Sequence, residues 1–289
     1  MHQSRRTTAV LAMAVICAGG GMIPAQAARA AAHVSYDATV LADGPSAYWT
    51  MSHGRGSEPN LARRNPTQQY GGNLTGYYVG SPSPTALPNG ELAAEFDGAT
   101  QYMQVADNAA LSPATAGVLT VEAWMRPDTL TFPHTESSGY VHWMGKGETG
   151  NHEYVSRMYS ADNTNGRANR ISGYLFNSTG GLGAGSYFQD VVTAGQWIHY
   201  VLVINANAKD TAYPDGYTKL YKNGVLRDQD LLNVAGTPIV PTRGNAPFRV
   251  GTRDLNSFFE GAVGKVAIYT KELTPTQISN HYAAMSQVT

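Results

Sequence analysis

The apolar residues of this 289-residue chain come in short runs cut by turn signals, and a helical period appears only after residue 274. Residues 118–126 form the clearest run. Leu119, Val121, Ala123 and Met125 fall on one face, Thr120, Glu122, Trp124 and Arg126 on the other. Pro127 ends the run, because proline has no N–H to give to a sheet ladder. Residues 217–221 and 225–227 flank Asn223-Gly224, a dipeptide suited to the positive-φ turn of a tight hairpin. Residues 93–96 and 102–105 flank Asp97-Gly98-Ala99-Thr100 and read as another hairpin-like unit. Residues 258–269 form a further strand, with Ala262, Gly264, Val266 and Ile268 on one face. The period then changes. Thr274-Pro275-Thr276-Gln277 has the form of a capping box with proline at the first helical position. Ile278, Tyr282 and Met285 follow as one helical stripe. No repeat of 20–50 residues is visible, and the turn spacing is that of a sandwich or barrel. The pattern predicts an all-β fold with a short C-terminal helix.

Residues 1–27 read as a secretory signal peptide. Arg5 and Arg6 precede an apolar core over 9–18, and Ala25-Gln26-Ala27 is a small-x-small cleavage site. Ala28-Arg29-Ala30 would move cleavage as late as residue 30. The Arg pair matches a twin-arginine signal only weakly, and Ile16 before Cys17 argues against a lipoprotein anchor. Cys17 is the sole cysteine, so the processed chain would carry no disulfide, thiolate metal site or cysteine nucleophile. Losing Arg5 and Arg6 takes the 20 basic residues to 18 against 21 acidic ones, a balance of −3. With only 14% charged residues and no basic face, nucleic acid and anionic membranes are not expected partners.

In order along the chain, Phe259, Gly261, Ile268, Tyr269, Leu273, Thr274, Gln277, Ile278 and Tyr282 resemble the C-terminus of a known family. It is the LamG-like jelly-roll family of the concanavalin A-like lectin/glucanase superfamily. That family ends with Phe-x-Gly, a strand finishing in Ile-Tyr, then Leu-(Ser/Thr)-x-x-(Gln/Glu)-Ile and a tyrosine. Residues 95–98 with Tyr102 and Val105, then 119–124, 195–199, 220–224 and 248–251, are similar to its central pattern, and 40–49 to the opening of actinobacterial members. The resemblance implies a two-sheet antiparallel jelly-roll β-sandwich over residues 34–286. In the family, an Asp of the final strand can help hold calcium. Gly264 and Lys265 stand there in this chain, leaving Asp97 and carbonyls near Gly98 as the carried-over candidates. Calcium takes six to eight oxygens, usually including carboxylates, so no cofactor is expected and structural calcium is disfavoured.

Glycosidases of the superfamily carry Glu-x-Asp-x-Glu on one strand, which puts three carboxylates on one face. Glu95-Phe96-Asp97 supplies two of them, with Ala99 or Thr100 where the third belongs. Glu122 and His199 read as scaffold residues, and His142, His152 and Glu153 as solvated loop residues without dense ligand spacing. The expectation is a non-catalytic module that binds a glycan or mediates adhesion. A polysaccharide hydrolase or lyase, and a protein-binding extracellular module, are the alternatives. The 28 aromatic residues favour a sugar surface, since aromatic faces stack on the C–H faces of sugars. Their densest mixture with Arg and Asn spans 140–188, where Trp143, Arg157, Tyr159 and Tyr174 are the candidate ligand contacts.

Overall fold

A computed structural model describes residues 34–62, 74–177 and 181–286. The expected signal peptide and its cleavage sites lie outside the described residues. The Ser35 hydroxyl accepts from the Ala38 N–H at 3.2 Å and caps helix α1 (Tyr36–Ala42), which the apolar pattern does not announce. Strands β1 (Ala47–Trp49), β2 (Ser57–Glu58), β3 (Gly76–Val79), β4 (Ser83–Ala86), β5 (Leu92–Asp97) and β6 (Tyr102–Val105) follow. Next come β7 (Val118–Pro127), β8 (Tyr140–Glu148), β9 (Asn151–Tyr159), β10 (Ile171–Phe176) and β11 (Gly183–Phe188). The chain continues through β12 (Ile198–Asn205), β13 (Tyr217–Lys222), β14 (Val225–Leu231), β15 (Asn233–Val234) and β16 (Thr237–Pro238). It closes with β17 (Phe248–Val250), β18 (Glu260–Tyr269) and helix α2 (Pro275–Ser286).

Two eight-stranded antiparallel sheets form a sandwich. One runs β14-β13-β12-β7-β18-β5-β4 with β1 also paired to β18, the other β11-β10-β9-β8-β17-β6-β3-β2. Leu119, Val121, Ala123 and Met125 of β7 share one core with Val141, Trp143, Tyr154 and Met158 of the facing sheet. The other face of β7 is buried too. Trp124 packs in a second cluster with Tyr36 and Val40 of α1 and Ile278 and Met285 of α2. The first sheet is thus covered on both sides here, whereas the outer face of β8–β11 carries the half-buried Tyr140, Arg157 and Tyr174 and the exposed Tyr187.

The Asn223-Gly224 hairpin forms between β13 and β14, with φ of 52° and 78°. The capping box forms as well: the Gln277 N–H donates to Thr274 Oγ1 at 3.2 Å, and the Thr274 N–H to Gln277 Oε1 at 2.9 Å. Two expectations need correction. β5 and β6 lie in different sheets, so residues 97–100 are a crossover, not a hairpin. The final strand does not alternate simply. A bulge with Lys265 at φ 55° shifts its phase. Val263, Val266 and Ile268 face the core, while a Cβ on Gly264 would meet Leu87 and Ala93 on the other side.

Candidate functional site

Cross-strand register lines up Tyr187, Ser172, Arg157 and His142 across β11, β10, β9 and β8. Tyr140 pairs with Tyr159 one step along. The Arg157 guanidinium lies 4.1 Å from the ring centre of Tyr174, 5.2 Å from Tyr140 and 5.3 Å from Tyr159. Its Nε donates to Ser172 Oγ at 3.1 Å, which fixes the plane. Tyr174 and Phe176 stack 6.1 Å apart on the same face of β10. Two glycines make room for them. A Cβ on Gly183 would lie 2.5 Å from the Phe176 ring, and one on Gly185 2.7 Å from Tyr174 Cγ. Arg170 sits 3.9 Å from the centre of the exposed Tyr187 ring, and Arg167 donates to the Tyr159 hydroxyl at 3.2 Å. Among the described residues, Arg157, Arg167 and Arg170 pair with hydroxyls, an amide and aromatic rings, and with no carboxylate.

This face brings together three of the four candidate residues. Arg157 and Tyr174 are half-buried on it, and Tyr159 lies on it but only 2% exposed, covered by Arg167 and Tyr140. Trp143 is a correction. It is fully buried, edge-on to Tyr200 at 4.9 Å, because Val141 and Trp143 share the inward phase of β8. Tyr140 and Tyr187 belong to the face and were not singled out by sequence reasoning. For Tyr187, the two-residue phase Gly183, Gly185, Tyr187 is the signal that points to it. A cleft of about 400 Å³ near Ala114, Lys209 and Ile239 has no aromatic lining and so lacks the stacking surface a sugar needs.

The carboxylates considered for catalysis are occupied. Glu95 pairs with Arg126 at 2.6 Å. Asp97 Oδ1 accepts from the N–H groups of Ala99, Thr100 and Gln101 at 3.0, 2.9 and 3.0 Å. Partial burial opposes its ionisation, but those bonds outweigh it and hold the pKa down to about 2. Asp97 is therefore committed to the turn. Glu122 has no exposed surface. Its Oε1 accepts from Tyr36 at 2.7 Å and faces His199 Nε2 at 2.9 Å, and its Oε2 faces His281 Nδ1 at 2.8 Å. Burial penalises this charge, yet His281 and His199 prevail and keep the carboxyl well below its usual range. His281 also meets Asp43 at 2.9 Å and titrates above the ordinary histidine value: burial opposes the shift, and Glu122 then Asp43 drive it. The cluster ties both helices to the sheet.

His142, His152 and Glu153 are not solvated loop residues; all three lie on strands, with His142 3% and Glu153 1% exposed. They do not converge. Glu153 bonds Lys146 and Ser112, and His152 packs on Phe176. His142 instead meets Glu136 and Asp254, at 3.1 and 3.3 Å. At the position discussed for calcium, the Lys265 ammonium sits 2.6 Å from Asp37 and 2.7 Å from Glu91.

The concanavalin A-like lectin/glucanases superfamily matches residues 97–279, and the chain belongs to that superfamily. No curated protein matches it. Among solved structures it is similar to domain 4 of AbnA, a GH43 extracellular arabinanase from Geobacillus stearothermophilus, in complex with arabinotriose. The identity is 18% and the TM-score 0.54, over 82% of this chain and 98% of that one. The botulinum neurotoxin serotype D ligand binding domain, in complex with N-acetylneuraminic acid, gives 13% identity and a TM-score of 0.57 over 86% of this chain and 52% of that one. The binding domain of botulinum neurotoxin DC, in complex with rat synaptotagmin II, gives 11% and 0.58 over 85% and 52%. The chain spans about half the length of these neurotoxin domains. At these identities the likeness shows the fold. Among the described residues, no helix is long and apolar enough to cross a membrane.

Proposed function

We propose that this chain is a secreted, non-catalytic carbohydrate-binding module whose ligand lies on the outer face of β8–β11. The observation that carries this reading is the Arg157 guanidinium 4.1 Å from the Tyr174 ring centre, with Tyr140 and Tyr159 beside it. The partly exposed Tyr140 and Tyr174 and the exposed Tyr187 offer ring surface to sugar C–H groups and the arginines planar N–H donors to sugar oxygens, while the buried Tyr159 supports them. Among the described residues Arg157, Arg167 and Arg170 have no carboxylate partner, so an acidic sugar, carboxylated or sulfated, is the class that best complements them. The sugars named with the similar structures, arabinotriose and N-acetylneuraminic acid, support glycan binding as the general role.

A hydrolytic role is disfavoured by the acids that border this face. Asp254 is engaged by Arg253 and His142 and its side chain is 1% exposed, which leaves Glu136 without an accessible partner. Export rests on the basic start, the apolar core and the Ala25-Gln26-Ala27 site. A glycan array carrying neutral and acidic sugars tests the function. Selective binding to acidic glycans supports it; no glycan binding by folded protein, or release of reducing sugar from a bound polysaccharide, contradicts it.

A further inference from the structure

We propose that Glu136, His142 and Asp254 form a binding site for a divalent transition cation of the zinc class. This site is independent of the glycan reading. The three residues come from separate segments, and hydrogen bonds hold each in place. Glu136 bridges to Tyr140, its N–H donating to the Tyr140 carbonyl at 2.8 Å. The His142 N–H donates to Ser257 Oγ at 3.0 Å, which fastens the 252–257 loop to β8. Within that loop the Leu255 N–H donates to Thr252 Oγ1 at 3.1 Å, and Thr252 Oγ1 donates to the Ser257 carbonyl at 2.7 Å. The register of β8 against β9 shifts after His142, a bulge of the kind that re-aims a side chain.

The side-chain atoms converge. His142 Nδ1 is 3.1 Å from Glu136 Oε2 and 3.3 Å from Asp254 Oδ2, and all three atoms lie within 4.8 Å of one another. A tetrahedral zinc site with its usual nitrogen and oxygen bonds has ligand-to-ligand edges of ~3.3 Å. One ring nitrogen cannot serve both acids. Its geometry allows a hydrogen bond to Asp254, while the buried Glu136 Oε2 accepts none. A buried carboxylate oxygen without a donor costs stability unless a positive centre faces it. A cation among the three atoms supplies one. Arg253 donates to this same Asp254 oxygen, Oδ2, so a cation would share that oxygen with the guanidinium, and the two carboxylates and Arg253 together present one net negative charge beside a neutral imidazole. The ring nitrogen favours zinc, cobalt or nickel over calcium and magnesium, which prefer all-oxygen shells. Glu136 keeps 27% of its side chain exposed, so a water can complete the coordination from solvent. The competing arrangement is a metal-free ring whose Nδ1–H bonds Asp254 alone, with Glu136 Oε2 left without a donor.

Calorimetric titration of the untagged full chain with zinc, paired with cobalt absorption spectra, separates the two. A single zinc equivalent should bind, and cobalt should show the intense visible bands of a four-coordinate site. Glu136→Gln and His142→Gln should each weaken zinc at least ~10–100-fold, the range that even outer-shell changes cost. Circular dichroism without metal checks that each variant folds. Should His142→Gln unfold, Glu136→Gln decides, because that side chain is partly exposed. Absence of zinc binding, calcium binding in its place, or wild-type zinc affinity in Glu136→Gln would overturn the proposal.

Discussion

The Arg157 guanidinium lies 4.1 Å from the ring centre of Tyr174, and its Nε is anchored to Ser172. A cation over an aromatic face gains roughly 0.5–2 kcal/mol, depending on how far water is excluded. The pair is therefore a pre-oriented plate, and a ligand need not pay to order it.

Charge complementarity gives the first prediction. Affinity for an acidic glycan should fall steeply as salt rises, because screening shortens the reach of exposed charges to about 8–10 Å near physiological ionic strength. Arg157→Gln should reduce both the affinity and its salt slope, and lower stability by no more than the ~0.5–2 kcal/mol of the lost ring contact. Titrations at low and high salt check this.

Gly185 gives the second. A Cβ there would lie 2.0 Å from the Gly173 carbonyl oxygen and 2.7 Å from Tyr174 Cγ. Gly185→Ala should shift β10 and lift the Tyr174 ring, at the ~1–3 kcal/mol typical of overpacking. Thermal melts and glycan titration should both register the change.

The third concerns pH. The pKa of Glu122 is lowered on folding, so its contribution is present above the unfolded value of about 4.3 and is lost as pH falls below it. The pKa of His281 is raised, so its contribution is full below about 6.5 and is lost as pH rises through the folded value. Tyr36, Tyr269, His199 and Asp43 surround this pair. The melting temperature should therefore decline on both sides of mildly acidic pH. His281→Gln should melt lower, by the ~3–5 kcal/mol of a broken buried pair, and lose the alkaline decline. Melts across the pH range decide; an unchanged alkaline limb in the variant contradicts the assignment.

The fourth separates core from surface. Trp143→Ala should cost ~3–5 kcal/mol, as deleting a large buried aromatic does. The protein that remains folded should bind glycan normally, which melts and titration together measure.

What the sequence disclosed was local. The Asn223-Gly224 hairpin and the Thr274–Gln277 box are short-range signals, and both form. The phase of β9 and β10 put Arg157 beside Tyr159 and Tyr174 beside Phe176, as the sheet does. Asp97-Gly98 signals a turn but not which sheet the chain enters next, so the crossover to β6 was illegible. The bulge at Lys265 was equally hidden, because Lys265 adopts its positive φ where Asp37 and Glu91 hold its ammonium, far away in sequence. Trp143 misled because a tryptophan serves a core and a sugar surface alike. Glu136 and Asp254 come together around His142 only through the pairing of β8 with β17 and the loop after it.

The central claim is that Tyr174 is part of the glycan contact surface, and one paired measurement on Tyr174→Ala tests it most directly. The affinity for the glycan that binds most tightly on the array is measured alongside the melting temperature. Loss of one stacking ring should weaken binding about 5- to 150-fold, corresponding to ~1–3 kcal/mol by analogy with bases stacked on aromatic side chains. The variant should stay folded and lose no more than the ~0.5–2 kcal/mol of the Arg157 contact, less than a buried aromatic costs, since the ring is half-buried on an outer face. Unchanged affinity in a folded Tyr174→Ala protein would contradict the account and place the ligand elsewhere.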